Sequence, residues 1–213
     1  MDLIRRSLVG VLPRWRLRGA PDLGSRIPIS LGPVAGRRLP SVELTHVDAA
    51  GAARMVDVSA KDITVREAVA SGHFATTAEV IALLRRDGLP KGDALAVARI
   101  AGIAAAKRTP ELVPLCHPVA IHGVTVDLAL TENGVDITAT VRTADRTGVE
   151  MEALTCVAVA GLALYDMVKA VDRGAELGAI HLVHKSGGRR GTWDRAALDR
   201  AAADPADLDP VPS

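Results

Sequence analysis

Residues able to do chemistry gather in three short clusters of an Ala- and Val-rich chain: Pro114-Leu115-Cys116-His117-Pro118, Tyr165-Asp166-Met167-Val168-Lys169 and Lys185-Ser186-Gly187-Gly188. Each sets ionisable groups beside residues that belong in a core, and a buried charge is costly unless it is paired or used. The cations among them point to an anionic ligand. Asp166 and Lys169 lie three residues apart, so they are neighbours on one helix face. Flanking Leu162, Leu164, Met167 and Val168 argue against full exposure, and a partly desolvated Lys beside a carboxylate can act as a general acid or base. The plain alternative is a surface ion pair that contributes little.

The two prolines fix the Cys116-His117 loop. Adjacent residues of an extended segment point to opposite faces, so the pair makes a poor nucleophile–base dyad, and His117 is better suited to hydrogen-bonding a substrate. Neither CxxC nor HxxxH occurs, so no metal ligation is expected. After Lys185, the run Ser186-Gly187-Gly188-Arg189-Arg190 lets backbone N–H groups approach a phosphate, with charge close by. It is not a Walker loop, and a solvated basic turn is the simpler reading. Lys91-Gly92-Asp93 offers another Lys-Gly at a helix N-terminus suited to anions. Arg99, among Val97, Ala98, Ile100 and Ala101, calls for a buried partner, whereas Lys107-Arg108 suits a helix C-terminus. His46 and Asp48 read as loop polarity, with site residues on a mobile loop as the alternative, and His73, His122, His181 and His184 follow no usable pattern.

The elements that position these groups can be read from periodicity and caps. Ala53–Val58 reads as a short strand, and Thr64–Ala75 as strand or helix. Thr77–Arg86 is a helix with Thr76 or Thr77 as its N-cap and Gly88 as its stop. Gly92–Lys107 is a second helix. Val119–Leu130 and Val135–Val141 alternate as strands around the turn Glu132-Asn133-Gly134. Glu150–Val171 is a long helix and Ala179–His184 a last strand. This order predicts an α+β domain with helices packed on one face of an antiparallel sheet. On the long helix Glu152 and Asp166 project within about 40° of each other but lie about 21 Å apart. One small substrate cannot touch both on one straight helix. If both serve a site, a second subunit must complete it. The competing reading of Glu150 and Glu152 is favourable charge at a helix N-terminus.

With 213 residues, 48% of them apolar, the chain can build one cored domain with tails. Only 2% are aromatic, so Ala, Val, Leu and Ile must fill the core. A net charge of +1 gives no sign of a nucleic-acid surface. The two cysteines, Cys116 and Cys156, argue against a disulfide framework and for an intracellular chain, with Cys156 packed in a helix. The apolar run Ala153–Leu164 is too short for a membrane span. Residues 1–40 hold eight Arg, no Lys and two acids, Asp2 and Asp22. They are expected to form a weakly structured tail, with the alternative of an organelle transit segment. Residues 41–195 form the domain, and 196–213 a second frayed tail.

As a set, these motifs resemble the MoaC family of molybdenum cofactor biosynthesis. The colinear match spans about residues 43–193. It includes Thr45-His46-Val47-Asp48, Met55-Val56-Asp57-Val58-Ser59, Lys91-Gly92-Asp93, Ala98-Arg99-Ile100-Ala101-Gly102, Lys107-Arg108-Thr109, Pro114–Pro118, Gly148-Val149-Glu150-Met151-Glu152-Ala153-Leu154-Thr155, Tyr165–Ala170 and Lys185–Gly188. The resemblance implies a ferredoxin-like α+β fold and a cyclic pyranopterin monophosphate synthase activity. Such a lyase rearranges 3′,8-cyclo-7,8-dihydro-GTP, closes a cyclic phosphate and releases pyrophosphate. It further implies a cytoplasmic homohexamer, a trimer of dimers with sites at subunit interfaces, supplied by the radical enzyme that makes its substrate.

By motif, Asp166, Lys169 and Lys91 look catalytic. Leu115, Cys116, His117, Glu150, Met151, Glu152 and Lys185 look substrate-binding. No cofactor is required by this resemblance, though Mg²⁺ can accompany the triphosphate. No nucleic acid or membrane partner is expected. The family usually carries Ala where this chain has Cys156, a packing difference. Two other readings are a non-catalytic nucleotide or pterin regulator on the same fold, and a metal-dependent phosphohydrolase built on Cys116 and His117.

Overall fold

The computed structural model describes residues 52–86, 88–197 and 199. The two tail assignments, and His46 and Asp48, fall largely or wholly outside them. Among the described residues five strands and four helices run in the order β1 (Thr64–Ala75), α1 (Ala78–Arg85), α2 (Ala94–Ala106), α3 (Thr109–Leu112), β2 (Ile121–Leu130), β3 (Gly134–Asp145), α4 (Glu150–Val168), β4 (Glu176–Ser186) and β5 (Trp193–Asp194). All pairings are antiparallel in the sheet order β2-β3-β1-β4-β5. α4 packs across β1, β3 and β4, and α2 packs beside it and against β2. This is the α+β, ferredoxin-like arrangement expected, with the helices on one face.

Two periodicities build the core. On β1 and β3 alternate residues are buried, Ala68, Ala70 and Phe74 facing Val135, Ile137, Ala139 and Val141 across the register. On α4, Ala153, Cys156, Val157, Ala160, Leu164 and Val168 form the buried stripe. The opposite sheet face carries Glu67, Ser71, His73, Thr138, Thr140 and Arg142, and among the described residues no helix lies over it.

Local chemistry sets the boundaries. Thr77 caps α1, its Oγ1 accepting from Val80 N, and Gly88 N bonds Leu83 O at 2.9 Å beyond the helix end. The β2–β3 turn closes with Thr131 N on Gly134 O at 2.9 Å. A Cβ on Gly134 would stand 2.3 Å from Phe74 O, so only glycine allows this approach.

Four expectations are corrected. Ala53–Val58 is not a strand: it holds one isolated bridge, at Ala53, and its alternation serves another purpose described below. α4 ends at Val168 rather than Val171, where Val171 N and Asp172 N both turn back to Val168 O. The short α3 and β5 were not anticipated. At 19 residues, α4 does reach membrane-spanning length and apolarity, but 56% of its apolar window is buried inside the domain, as befits a core helix.

Candidate active site

Two polar constellations stand at opposite ends of α4. At the N-terminal end a cavity of about 730 Å³ is lined by residues of four segments. These are the stretch Val56–Asp62, His117 of the proline-fixed loop, Thr147–Glu150 at the start of α4, and Lys185 with Gly187–Arg190 after β4. Thr64 and Arg66, on β1, complete it. Lys61, Arg66, Lys185, Arg189 and Arg190 give it five cations against Asp57, Asp62 and Glu150. That excess, beside the N-terminus of a 19-residue helix, suits a polyanion.

Lys185 reaches this cavity because the β1–β4 ladder is irregular. Ala70 pairs with Leu182 but Ala68 pairs with Lys185, so β4 carries an extra residue there. The bulge turns Lys185 to the helix-side face that regular alternation would deny it. It lies 3.5 Å from Glu150 Oε1. Gly187 and Gly188 follow with φ of 87° and 72°, and a Cβ on Gly187 would meet Val65 O at 2.3 Å. The loop can pass this close to β1 only with glycine.

His117 Nε2 donates to Val56 O at 2.6 Å, which requires the proton on Nε2. That bond engages Nε2, and the ring lines the cavity. Cys116 is half-buried, and burial, with the Glu152 and Glu150 charges, pushes its thiol above the usual range. This opposes a thiolate nucleophile. Leu115 and Met151 are partly exposed and lie outside the cavity lining. Glu152 does not face the cavity. It is 2% exposed, among the described residues neither carboxylate oxygen has a partner on another residue, and burial raises its carboxyl to about 7.

At the C-terminal end of α4, Asp166 binds two lysines. Lys169 Nζ lies 2.7 Å from Oδ1, and Lys91 Nζ lies 2.8 Å from Oδ2 and 2.7 Å from the Asp166 carbonyl. Their hydrogen bonds hold the Asp166 carboxyl down at about 2, and the same contact raises Lys169. All three side chains are 42–57% exposed, so the desolvation expected for Lys169 is not met within one chain. Nor does Lys91-Gly92-Asp93 leave an open anion site, because Asp93 itself caps α2 by accepting from Ala96 N at 2.9 Å. Arg99 donates to the backbone carbonyl of buried Val126 at 3.1 Å on the sheet edge.

The structure thus brings His117, Glu150 and Lys185 together, and separately Lys91, Asp166 and Lys169. Sixteen residues of α4 put about 24 Å between Glu150 and Asp166. Sequence reasoning missed Lys61 and Arg66. Arg66 carried a signal, since it stands in phase with buried Ala68 and Ala70, a charge on the core-facing parity of β1. Among the described residues no group of three or more His, Cys, Asp or Glu could hold a metal ion.

Fold and site define an α+β protein with a cation-rich cavity beside the start of α4 and a separate carboxylate–lysine triad at its other end. Comparison with known proteins narrows this class: residues 55–188 match the MoaC family, and the chain belongs to that family. A relative from Streptomyces coelicolor, called cyclic pyranopterin monophosphate synthase, is 60% identical over 157 residues, 74% of this chain and 92% of its own length. Cyclic pyranopterin monophosphate synthase 2 of Mycobacterium tuberculosis is 61% identical over 155 residues, 73% of this chain and 93% of its own. The synthase of Roseiflexus sp. is 58% identical over 151 residues, covering 70% and 96%.

Proposed function

We propose that this chain is a lyase that converts 3′,8-cyclo-7,8-dihydro-GTP to cyclic pyranopterin monophosphate, releasing pyrophosphate, in molybdenum cofactor biosynthesis. Its relatives bear that activity in their names, and the observation within the molecule that carries it is the cation-lined cavity at the start of α4. Closing a cyclic phosphate requires a substrate hydroxyl to attack the α-phosphorus and give up its proton, while the bond to the β-phosphate oxygen breaks. The leaving pyrophosphate carries the displaced charge, which Lys185, Arg66 and Lys61 are placed to neutralise.

Asp166, ionised at any physiological pH, is not a proton donor. Its part is to hold Lys91 and Lys169 as oriented ammonium groups, which suits them to donate protons during ring opening and closure. The chain assembles as a homohexamer, a trimer of dimers, in which the C-terminal end of α4 from one copy completes the cavity of another. Two observations support this: the length of α4, and the exposure of a triad that catalysis would require to be desolvated. Leu115, Cys116 and Met151 join the substrate surface once the copies meet, with the Glu152 carboxyl buried behind Cys116. The protein is cytoplasmic, receives its substrate from a radical enzyme, and needs no resident cofactor, with Mg²⁺ arriving on the triphosphate. The test is to incubate purified protein with the enzymatically prepared cyclised nucleotide and follow pyrophosphate and pterin product by mass. Turnover lost in Asp166→Ala and Lys169→Ala supports the reading; a folded oligomer that binds the nucleotide without turning it over makes it the regulator instead.

A further inference from the structure

One wall of the cavity has no regular secondary structure. Val56–Asp62 contributes Val56, Asp57, Val58, Ala60, Lys61 and Asp62 to the lining. Its internal bonds are short-range: Lys61 N on Val58 O at 3.0 Å and Ser59 N on Asp57 Oδ1 at 2.8 Å. Two side chains reach it from the body of the domain. His117 donates to Val56 O, and Arg146 Nη1 donates to Ser59 O.

Arg146 is itself set in place. It opens the loop after β3, where Arg66 Nε holds Asp145 O at 2.8 Å and Arg66 Nη2 holds Arg146 O at 3.0 Å. Arg146 N bonds Asp145 Oδ1 at 2.7 Å. Two arginines therefore form a relay. Arg66 fixes the β3 exit from inside the cavity, and Arg146, which is not among the lining residues, spans from that exit to the strap. A strap without ladder hydrogen bonds depends on such charge-assisted contacts to hold one conformation.

We propose that Arg146 is a positioning residue for the synthase reaction: it latches the strap 56–62 over the cavity and so holds Lys61 toward the bound polyanion. The inference rests on the reading that this cavity takes the substrate. Losing the latch leaves the reacting groups in place but makes the substrate order the strap on binding. The cost falls on KM rather than kcat.

The strap supplies its own probe, because Lys61 is a trypsin site within it and Arg54 one beside it. In Arg146→Ala, KM for the cyclised nucleotide should rise by about tenfold, the weight of one charge-assisted hydrogen bond, with kcat within about threefold of the parent. Cleavage after Lys61, identified by fragment mass, should accelerate at unchanged melting temperature. Arg146→Lys, which retains a cationic donor, should recover most of both effects. If Arg146→Ala does not fold, Arg146→Gln carries the same test. Parent-like cleavage after Lys61 overturns the latch. Faster cleavage with unchanged KM overturns the link to substrate and counts against the cavity reading, which Lys185→Ala tests independently through its affinity for the unreacted nucleotide. A fall in kcat at constant KM also refutes the proposal.

Discussion

Replacing Glu152 by Gln should make the protein more stable and less active, with the gain in stability growing as pH rises. Glu152 is 2% exposed, its carboxylate oxygens find no partner on another of the described residues, and Glu150 adds a like charge nearby. Its carboxyl is raised from 4.5 to about 7. A folded-state value above the unfolded one means that the native protein binds the proton more tightly. Stability is therefore fully present below pH 4.5 and is lost as pH climbs toward 7. Relative to a group that stays neutral in both states, this shift costs the fold about 1 kcal/mol at pH 5 and about 3 kcal/mol at pH 8.5.

Gln has nearly the same shape and no charge to bury. For a chain of this size, about 3 kcal/mol corresponds to a rise of roughly 6–12 °C in melting temperature at pH 8.5, and to about a third of that at pH 5. Thermal unfolding followed by circular dichroism at both pH values measures the difference, and turnover should fall in the same variant. A shift that is equal at the two pH values, or a loss of stability at pH 8.5, would refute the reasoning. The second result would mean that a cation from another copy pairs with Glu152 in the assembled protein.

Two further substitutions test the frame that carries the site. A Cβ on Gly102 would sit 3.0 Å from Cys156 O and 3.1 Å from its Sγ, so Gly102→Ala should push α2 from α4 and cost about 1–3 kcal/mol, read by urea unfolding. Asp172 accepts from Thr76 Oγ1 at 2.8 Å, Thr77 N at 3.3 Å and Gly174 N at 2.8 Å, tying the start of α1 to the turn after α4. These bonds lower its carboxyl, led by Thr76, so the stability they give is present at neutral pH and fades as pH falls through the carboxylate range. Asp172→Ala should accordingly lower the melting temperature at pH 7 and converge with the parent at acid pH.

Local rules carried most of the fold. The Thr77 cap, the Gly88 stop, the Glu132-Asn133-Gly134 turn and the apolar stripe of α4 each depend on residues a few positions apart, and each is where the sequence puts it. What escaped is non-local. Val56–Val58 alternates as a strand would, yet no ladder receives it, and it serves as a cavity wall. Lys185 faces the cavity through a bulge in β4 that no residue type announces. Lys91 meets Asp166 across 75 positions, so the triad exists only once α2 and α4 have packed. The helix arithmetic that separated Glu152 from Asp166 survives in the structure, and it motivates the account of sites shared between copies.

That account is tested most directly by mixing subunits. Asp166→Ala disables the C-terminal end of α4, and Lys185→Ala weakens the cavity at the other end; each variant alone should be nearly inactive. If each site draws its two halves from different copies, unfolding and refolding the variants together in equal amounts should restore about a quarter of the parental turnover, since random pairing leaves that share of sites intact. Mixtures as inactive as the separate variants, despite forming mixed oligomers, would contradict the shared site and require one chain to hold the whole reaction.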